Sequence, residues 1–169
     1  ARRGSIYIHA ARISDDRSQG WDLVPDRVRE TAQLTGGLIG TVDIWGQLEL
    51  GDREREWLER QMQTAVFTGV LKGEALARAY ANFDVFIFPS HTDTFGNVVL
   101  EAQASGVPAI VSDRGGPKFN INTAPGWASG LVPGSEQEFL DATLRLMRQP
   151  DLHATMRVAA RQTACGASW

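Results

Sequence analysis

Cysteine is nearly missing from this chain: Cys165 is the one thiol in 169 residues. A single thiol excludes a disulfide framework and any cysteine-rich metal site, and it fits a reduced, cytoplasmic setting. Histidine is almost as scarce. His9, His91 and His153 stand far apart and show no metal-ligand spacing, so no metal is expected. No apolar run approaches the roughly 18 residues of a membrane span, and no secretory leader pattern is found. Basic blocks are absent too. The formal net charge is −3 with both signs mixed along the chain, which gives nucleic acid nothing to bind. The glycines do not make a cofactor fingerprint. "GGLIG" (36–40) precedes its strand instead of following it, and there is no Walker loop. A redox dinucleotide domain is therefore the weakest of the candidate functions.

What is present is material for a core. Hydrophobic residues make up 43% of the chain, enough for one domain of this length. "SIYIHAARI" (5–13) reads as a buried strand, with His9 a satisfied half-buried side chain. Residues 22–34 read as a helix with Pro25 in its first turn. "GTVDIWGQLEL" (40–50) is rich in strand formers, "DREREWLERQM" (52–62) is a solvated helix and "TAVFTGV" (64–70) a short strand. In "GEALARAYANF" (73–83), Leu76, Ala79, Tyr80 and Phe83 fall on one helical face. "DVFIFPS" (84–90) and "PAIVSD" (108–113) are near-continuous apolar strands. "SEQEFLDATLRLM" (135–147) opens with a capping box from Ser135 to Glu138, and a last helix follows Pro150.

Strands thus alternate with helices, and the later strands are apolar on both faces. The pattern predicts an α/β fold, a Rossmann-like parallel sheet with helices on both faces, filling residues 1–169 as one domain. Ligands of such sheets lie beyond the carboxyl ends of the strands. The loops of interest follow Ala10, Leu48, Phe67, Pro89 and Ser112.

The loop after "DVFIFP" leads into a helix near residues 97–105. The first N–H groups of that helix have no helical partner, and the dipole adds partial positive charge. Gly96 would let a phosphate approach the backbone. The plainer alternative makes Gly96 a turn residue and Asp93 a capping acid. Glu101, one to two turns in, would accept from a pair of sugar hydroxyls, from a neighbouring arginine, or simply face water. The run 113–117, with its glycine pair, reads as a turn.

The stretch "VFTGVLKGEALARAYANFDVFIFPSHTDTFGNVVLEAQASGVPAIVSDRGGP" (66–117) closely resembles the C-terminal domain of retaining GT-B glycosyltransferases of family 4, nearest the mannosyl- and glycolipid-forming enzymes. The resemblance covers nearly the whole chain, and several motifs occur in order at the right spacing. It implies the C-terminal half of a GT-B fold, a nucleotide-sugar-binding domain whose N-terminal acceptor domain lies outside this chain. Ala1 in place of Met and the abrupt "ACGASW" ending read likewise as a piece of a longer protein.

The family's two acids, with seven residues between them, fall on Asp93 and Glu101. The resemblance assigns Glu101 to the ribose hydroxyls of the donor and Asp93 to the hydroxyls of the transferred sugar. It assigns the backbone of Thr94, Phe95, Gly96, Asn97 and Val98 to the sugar and diphosphate. Val70 and Leu71 would line the base, and Arg12 would neutralise the diphosphate. Asp93, Glu101 and Arg12 are thereby the expected catalytic residues. Three departures stand out. Asp93 replaces the usual Glu and reaches one methylene less far. Gln19 stands where the phosphate lysine belongs, with Arg17 as the candidate substitute. Phe119 occupies a position where an acid is expected.

The resemblance implies transfer of a hexose from a nucleoside diphosphate sugar, UDP- or GDP-linked, to an acceptor hydroxyl on a lipid or glycan. Retention of configuration, independence of metal and the lack of any cofactor are implied with it, as is an inactive isolated fragment. A cytoplasmic location follows, with membrane association of the full-length protein left open. The rival readings are a GT-B nucleotide-sugar epimerase or phosphorylase, and a non-catalytic nucleotide-binding module that has lost its phosphate lysine.

Overall fold

The computed structural model describes residues 6–9 and 41–43 as backbone strands, and residues 60, 71–89, 91 and 93–167. Among these, five strands run in parallel: β1 (Ile6–His9), β2 (Thr41–Asp43), β3 (Val85–Phe88), β4 (Ala109–Val111) and β5 (Gly130–Leu131). Their order across the sheet is β2-β1-β3-β4-β5. Tyr7 stands opposite both Thr41 and Phe86, and Ile87 opposite Ile110, so β1 and β3 sit at the middle. The chain therefore reverses its direction of strand addition between β1 and β3. Such a switch point opens a crevice at the carboxyl ends of the two strands.

Every residue of β3 and β4 is buried. Alternate side chains of a strand point to opposite faces, so both faces of the central sheet are covered. Phe86, Phe88, Ala109 and Val111 join Tyr80, Phe83, Val99 and Ala102 in one core cluster. Tyr80 comes from α1 (Gly73–Ala81), and Val99 and Ala102 come from α2 (Asn97–Ala104). Phe86 and Phe88 stack at 6.0 Å, and Tyr80 meets Phe86 edge-on at 5.9 Å. Burial of each such ring contributes about 1.5–3 kcal/mol. On the other face α3 (Glu136–Arg148) contacts β4.

Both expected late helices form. Ser135 Oγ accepts from Glu138 N–H at 3.3 Å. The reciprocal half of the box is shifted: the Glu138 carboxylate accepts from the N–H of Gly134 at 2.7 Å, one residue ahead of the cap. Acids in its first turn and Arg145 and Arg148 in its last complement the helix dipole. Pro150 starts α4 (Pro150–Gly166), where its missing N–H costs nothing. This helix is tied to the residues just ahead of β3 and to the end of α2. His153 Nε2 donates to Asp84 O at 2.7 Å, Arg157 to Phe83 O at 3.2 Å and Arg161 to Ala104 O at 3.0 Å. The helices and strand expected at 22–34, 52–62 and 64–70 lie outside the described residues, apart from Arg60.

Candidate functional site

Because β3 and β4 are parallel neighbours, the loops that leave them emerge side by side. The β3 loop runs to α2; the β4 loop runs to a short 3₁₀ turn, Pro117–Asn120. The two are fitted together by glycines. Gly116 N–H donates to Asp93 O at 2.9 Å, and a Cβ on Gly116 would lie 1.9 Å from Thr94 O. A Cβ on Gly115 would lie 2.8 Å from Asp93 O. The glycine pair expected to be a simple turn is thus the seat of the β3 loop. Gly96 has φ 79°, and its Cβ would meet Pro117 at 2.9 Å. Backbone conformation and the approach of Pro117 both call for a glycine here.

The β3 loop folds around its own acid. The Asp93 carboxylate accepts from Phe95 N–H at 2.9 Å and from Gly96 N–H at 2.5 Å through Oδ1. The capping alternative for Asp93 is realised ahead of the helix, and two of the amides assigned to the donor are occupied by it. Helix α2 itself begins at Asn97 with no side-chain cap and no acid in its first turn. The nearest negative charge is therefore Asp93 on the preceding loop, and the first-turn amides of α2 carry no side-chain cap of their own.

One turn further on, Glu101 is half-buried and accepts from the Tyr80 hydroxyl through Oε2 at 3.3 Å. Its other oxygen has no partner among the described residues. Sugar hydroxyls, an arginine and water are the alternatives the sequence leaves open for Glu101; the protein partner among the described residues is a phenol from α1. Phe95 stands 55% exposed at the rim. Asn120 reaches across from the 3₁₀ turn to the carbonyls of Phe95 and Gly96. Phe119, in the position expected to be acidic, is 82% exposed, with the Lys118 ammonium 5.3 Å from its ring centre. Lys118 also donates to Asp113 O at 2.7 Å.

The structure thus gathers Asp93, Thr94, Phe95, Gly96, Asn97, Val98 and Glu101 along one loop and helix start. Leu71 is half-buried just ahead of α1, whose Tyr80 touches Glu101. Arg12, Arg17, Gln19 and Val70 lie outside the described residues. Gly115, Gly116, Pro117, Asn120 and Tyr80 are site residues that sequence reasoning missed. A glycine pair directly after a strand that neighbours β3 was the available signal for the first three. Among the described residues no group of three or more His, Cys, Asp or Glu side chains is placed to hold a metal, and no helix is long and apolar enough to cross a membrane.

A family model described as Glycosyl transferases group 1 matches residues 7–149. A GDP-mannose-dependent alpha-mannosyltransferase of Mycolicibacterium smegmatis is 54% identical over 119 residues, 69% of this chain and 30% of that protein. A protein of the same description from Mycobacterium tuberculosis is 42% identical over 118 residues, again 69% of this chain and 30% of that one. The chain therefore matches less than a third of the length of these relatives. Among solved structures, the C-terminal domain of a glycosyl transferase group 1 family protein from Francisella tularensis superposes with a TM-score of 0.74 at 20% identity. That match covers 96% of this chain and 84% of the domain.

Proposed function

Since the chain belongs to the glycosyl transferases group 1 family and has the fold of its C-terminal domain, we propose that it is the donor-binding half of a retaining mannosyltransferase that draws its sugar from GDP-mannose. The observation that carries this reading is the amino end of α2, with no acid in its first turn, Asp93 on the loop before it and Glu101 one turn inside it. A diphosphate fits the helix end, and the Glu101 carboxylate suits a pair of ribose hydroxyls. The choice of guanine rests on the two mannosyltransferase relatives.

In this reading Asp93 is held on its loop amides until a donor arrives, and then turns to the sugar hydroxyls. The bond between the anomeric carbon and the diphosphate oxygen breaks. The acceptor hydroxyl adds to that carbon from the same face, and its proton passes to the departing diphosphate. A helix end contributes only about 0.3–1 kcal/mol towards an exposed anion, up to roughly 2 when partly buried. Arg12 carries most of the remaining charge, with Arg17 in place of a lysine at position 19, and no metal is required.

Titration calorimetry of the chain with GDP, UDP and ADP tests the proposal. GDP is expected to bind at least about tenfold more tightly than UDP, a difference of about 1.4 kcal/mol. Equal affinities would remove the guanine assignment. No binding of any nucleoside diphosphate would remove the donor site itself.

A further inference from the structure

Asn120 belongs to the β4 loop, yet its side chain serves the β3 loop. Its Nδ2 lies 2.5 Å from Phe95 O and 3.2 Å from Gly96 O. Two carbonyl oxygens can only accept, so the amide nitrogen is the end that faces them. In a trans peptide the C=O and the following N–H point in opposite directions. The peptide joining Phe95 to Gly96 is therefore gripped at both ends, its carbonyl by Asn120 and its N–H by Asp93 Oδ1. The next peptide has its carbonyl held by Asn120 and by Val99 N–H at 2.9 Å. Its N–H, that of Asn97, is thereby turned away from Asn120 and off the end of α2. Gly96, left-handed and without a side chain, has little intrinsic preference for this orientation.

We propose that Asn120 is a positioning residue of the donor site: by holding the carbonyls of Phe95 and Gly96 it aims the Asn97 amide at the donor diphosphate. This deepens the reading of the previous subsection and rests on it. Asn120 does not touch the donor; it acts through the backbone. Its own place is set by the 3₁₀ turn, in which Phe119 N–H donates to Gly116 O at 3.0 Å, behind Pro117. An aspartate at this position would set a carboxylate against two carbonyls and leave the peptides free to rotate.

The test uses ¹⁵N-labelled chain, wild type, Asn120→Ala and Asn120→Asp, titrated with GDP, inorganic pyrophosphate and guanosine. Asn120→Asp preserves volume and provides the readout if the alanine variant does not fold. In the wild type, GDP and pyrophosphate are expected to shift the Asn97 amide resonance. The variants are expected to lose about tenfold or more in affinity for GDP and pyrophosphate, the scale of one hydrogen bond to a charged group. Affinity for guanosine stays unchanged, and the Asn97 shift disappears. If the variants bind GDP as the wild type does, or lose guanosine and GDP alike, Asn120 is only a tie between loops and the proposal is overturned. If the wild type itself binds neither GDP nor pyrophosphate, the donor-site reading falls and takes the proposal with it.

Discussion

Glu101 is a carboxylate shared between the fold and its ligand. One oxygen accepts from Tyr80, a phenol only 4% exposed, and the other is open among the described residues. Replacing Glu101 by alanine removes a charged acceptor for the ribose. Nucleotide affinity is expected to fall by about 1.5–3 kcal/mol, whichever base is carried. A 2′-deoxynucleotide, weakened with the wild type, loses little more with the variant. Unchanged binding by Glu101→Ala would make this acid purely structural. Tyr80→Phe removes one 3.3 Å bond and keeps the ring in the core, so a smaller loss, about 0.5–1.5 kcal/mol, is expected. Gly116 shows how packing can outweigh conformation. A methyl there would meet the Thr94 carbonyl at 1.9 Å, and a carbonyl in a fitted loop cannot swing aside as a side chain can. Gly116→Ala is expected to cost about 1–3 kcal/mol of stability and to weaken GDP binding with it, because the displaced loop is the donor loop. A thermal melt and a titration on the same sample check both. Of these residues, the sequence points to Glu101 as a site residue, while Tyr80 reads as core and Gly116 as a turn. Spacing along one helix is a local signal, whereas a contact between positions 80 and 101 depends on how two helices meet.

At the scale of elements, the later half of the chain was well exposed to reading. β3 and β4 are all-apolar runs, which a parallel sheet buried on both faces requires. The face of α1 that carries Leu76, Ala79 and Tyr80 does pack on the core, joined by Phe83 just past the helix end at Ala81. The cap of α3 at Ser135 formed as expected, with its acid reaching back to Gly134. What the pattern left out was the fit of one loop against another. The hydrogen bonds from Gly116 and Asn120 join segments more than twenty positions apart, and neither periodicity nor turn chemistry encodes such a meeting. The α3 cap gives an element-level prediction that separates stability from function. Ser135→Ala removes the acceptor for Glu138 N–H and is expected to cost about 0.5–2 kcal/mol. For a domain of this size that lowers the melting midpoint by about 2–4 °C per kcal/mol. GDP affinity is expected to stay at its wild-type value, since the contact of α3 with the sheet is made on β4. A matching loss of GDP affinity would show that α3 is coupled to the site.

The whole molecule sets the last expectation. The two loops that build the site, with residues 89, 91 and 93–96 of the first and 112–116 with its 3₁₀ turn described, leave one end of one sheet. In the proposed reading they hold the diphosphate and the sugar, with Glu101 of α2 on the ribose, all parts of the donor. Transfer also needs an acceptor oxygen fixed about 3–3.5 Å from the anomeric carbon, and orientation of that kind is worth roughly 7–11 kcal/mol of barrier. The chain matches only 30% of the length of its mannosyltransferase relatives, so the acceptor side is assigned to the portion those relatives carry in addition. Binding and transfer should then separate. The 169-residue chain is expected to bind GDP-mannose and to show no mannosyl transfer to lipid or glycan acceptors when followed with radiolabelled donor. Release of GDP by hydrolysis is also expected to remain at the level of the enzyme-free control. A longer polypeptide that includes the remaining portion should transfer mannose with a donor affinity close to that of the chain alone. Measurable transfer by the chain by itself would place the acceptor site within these residues and overturn the division of labour.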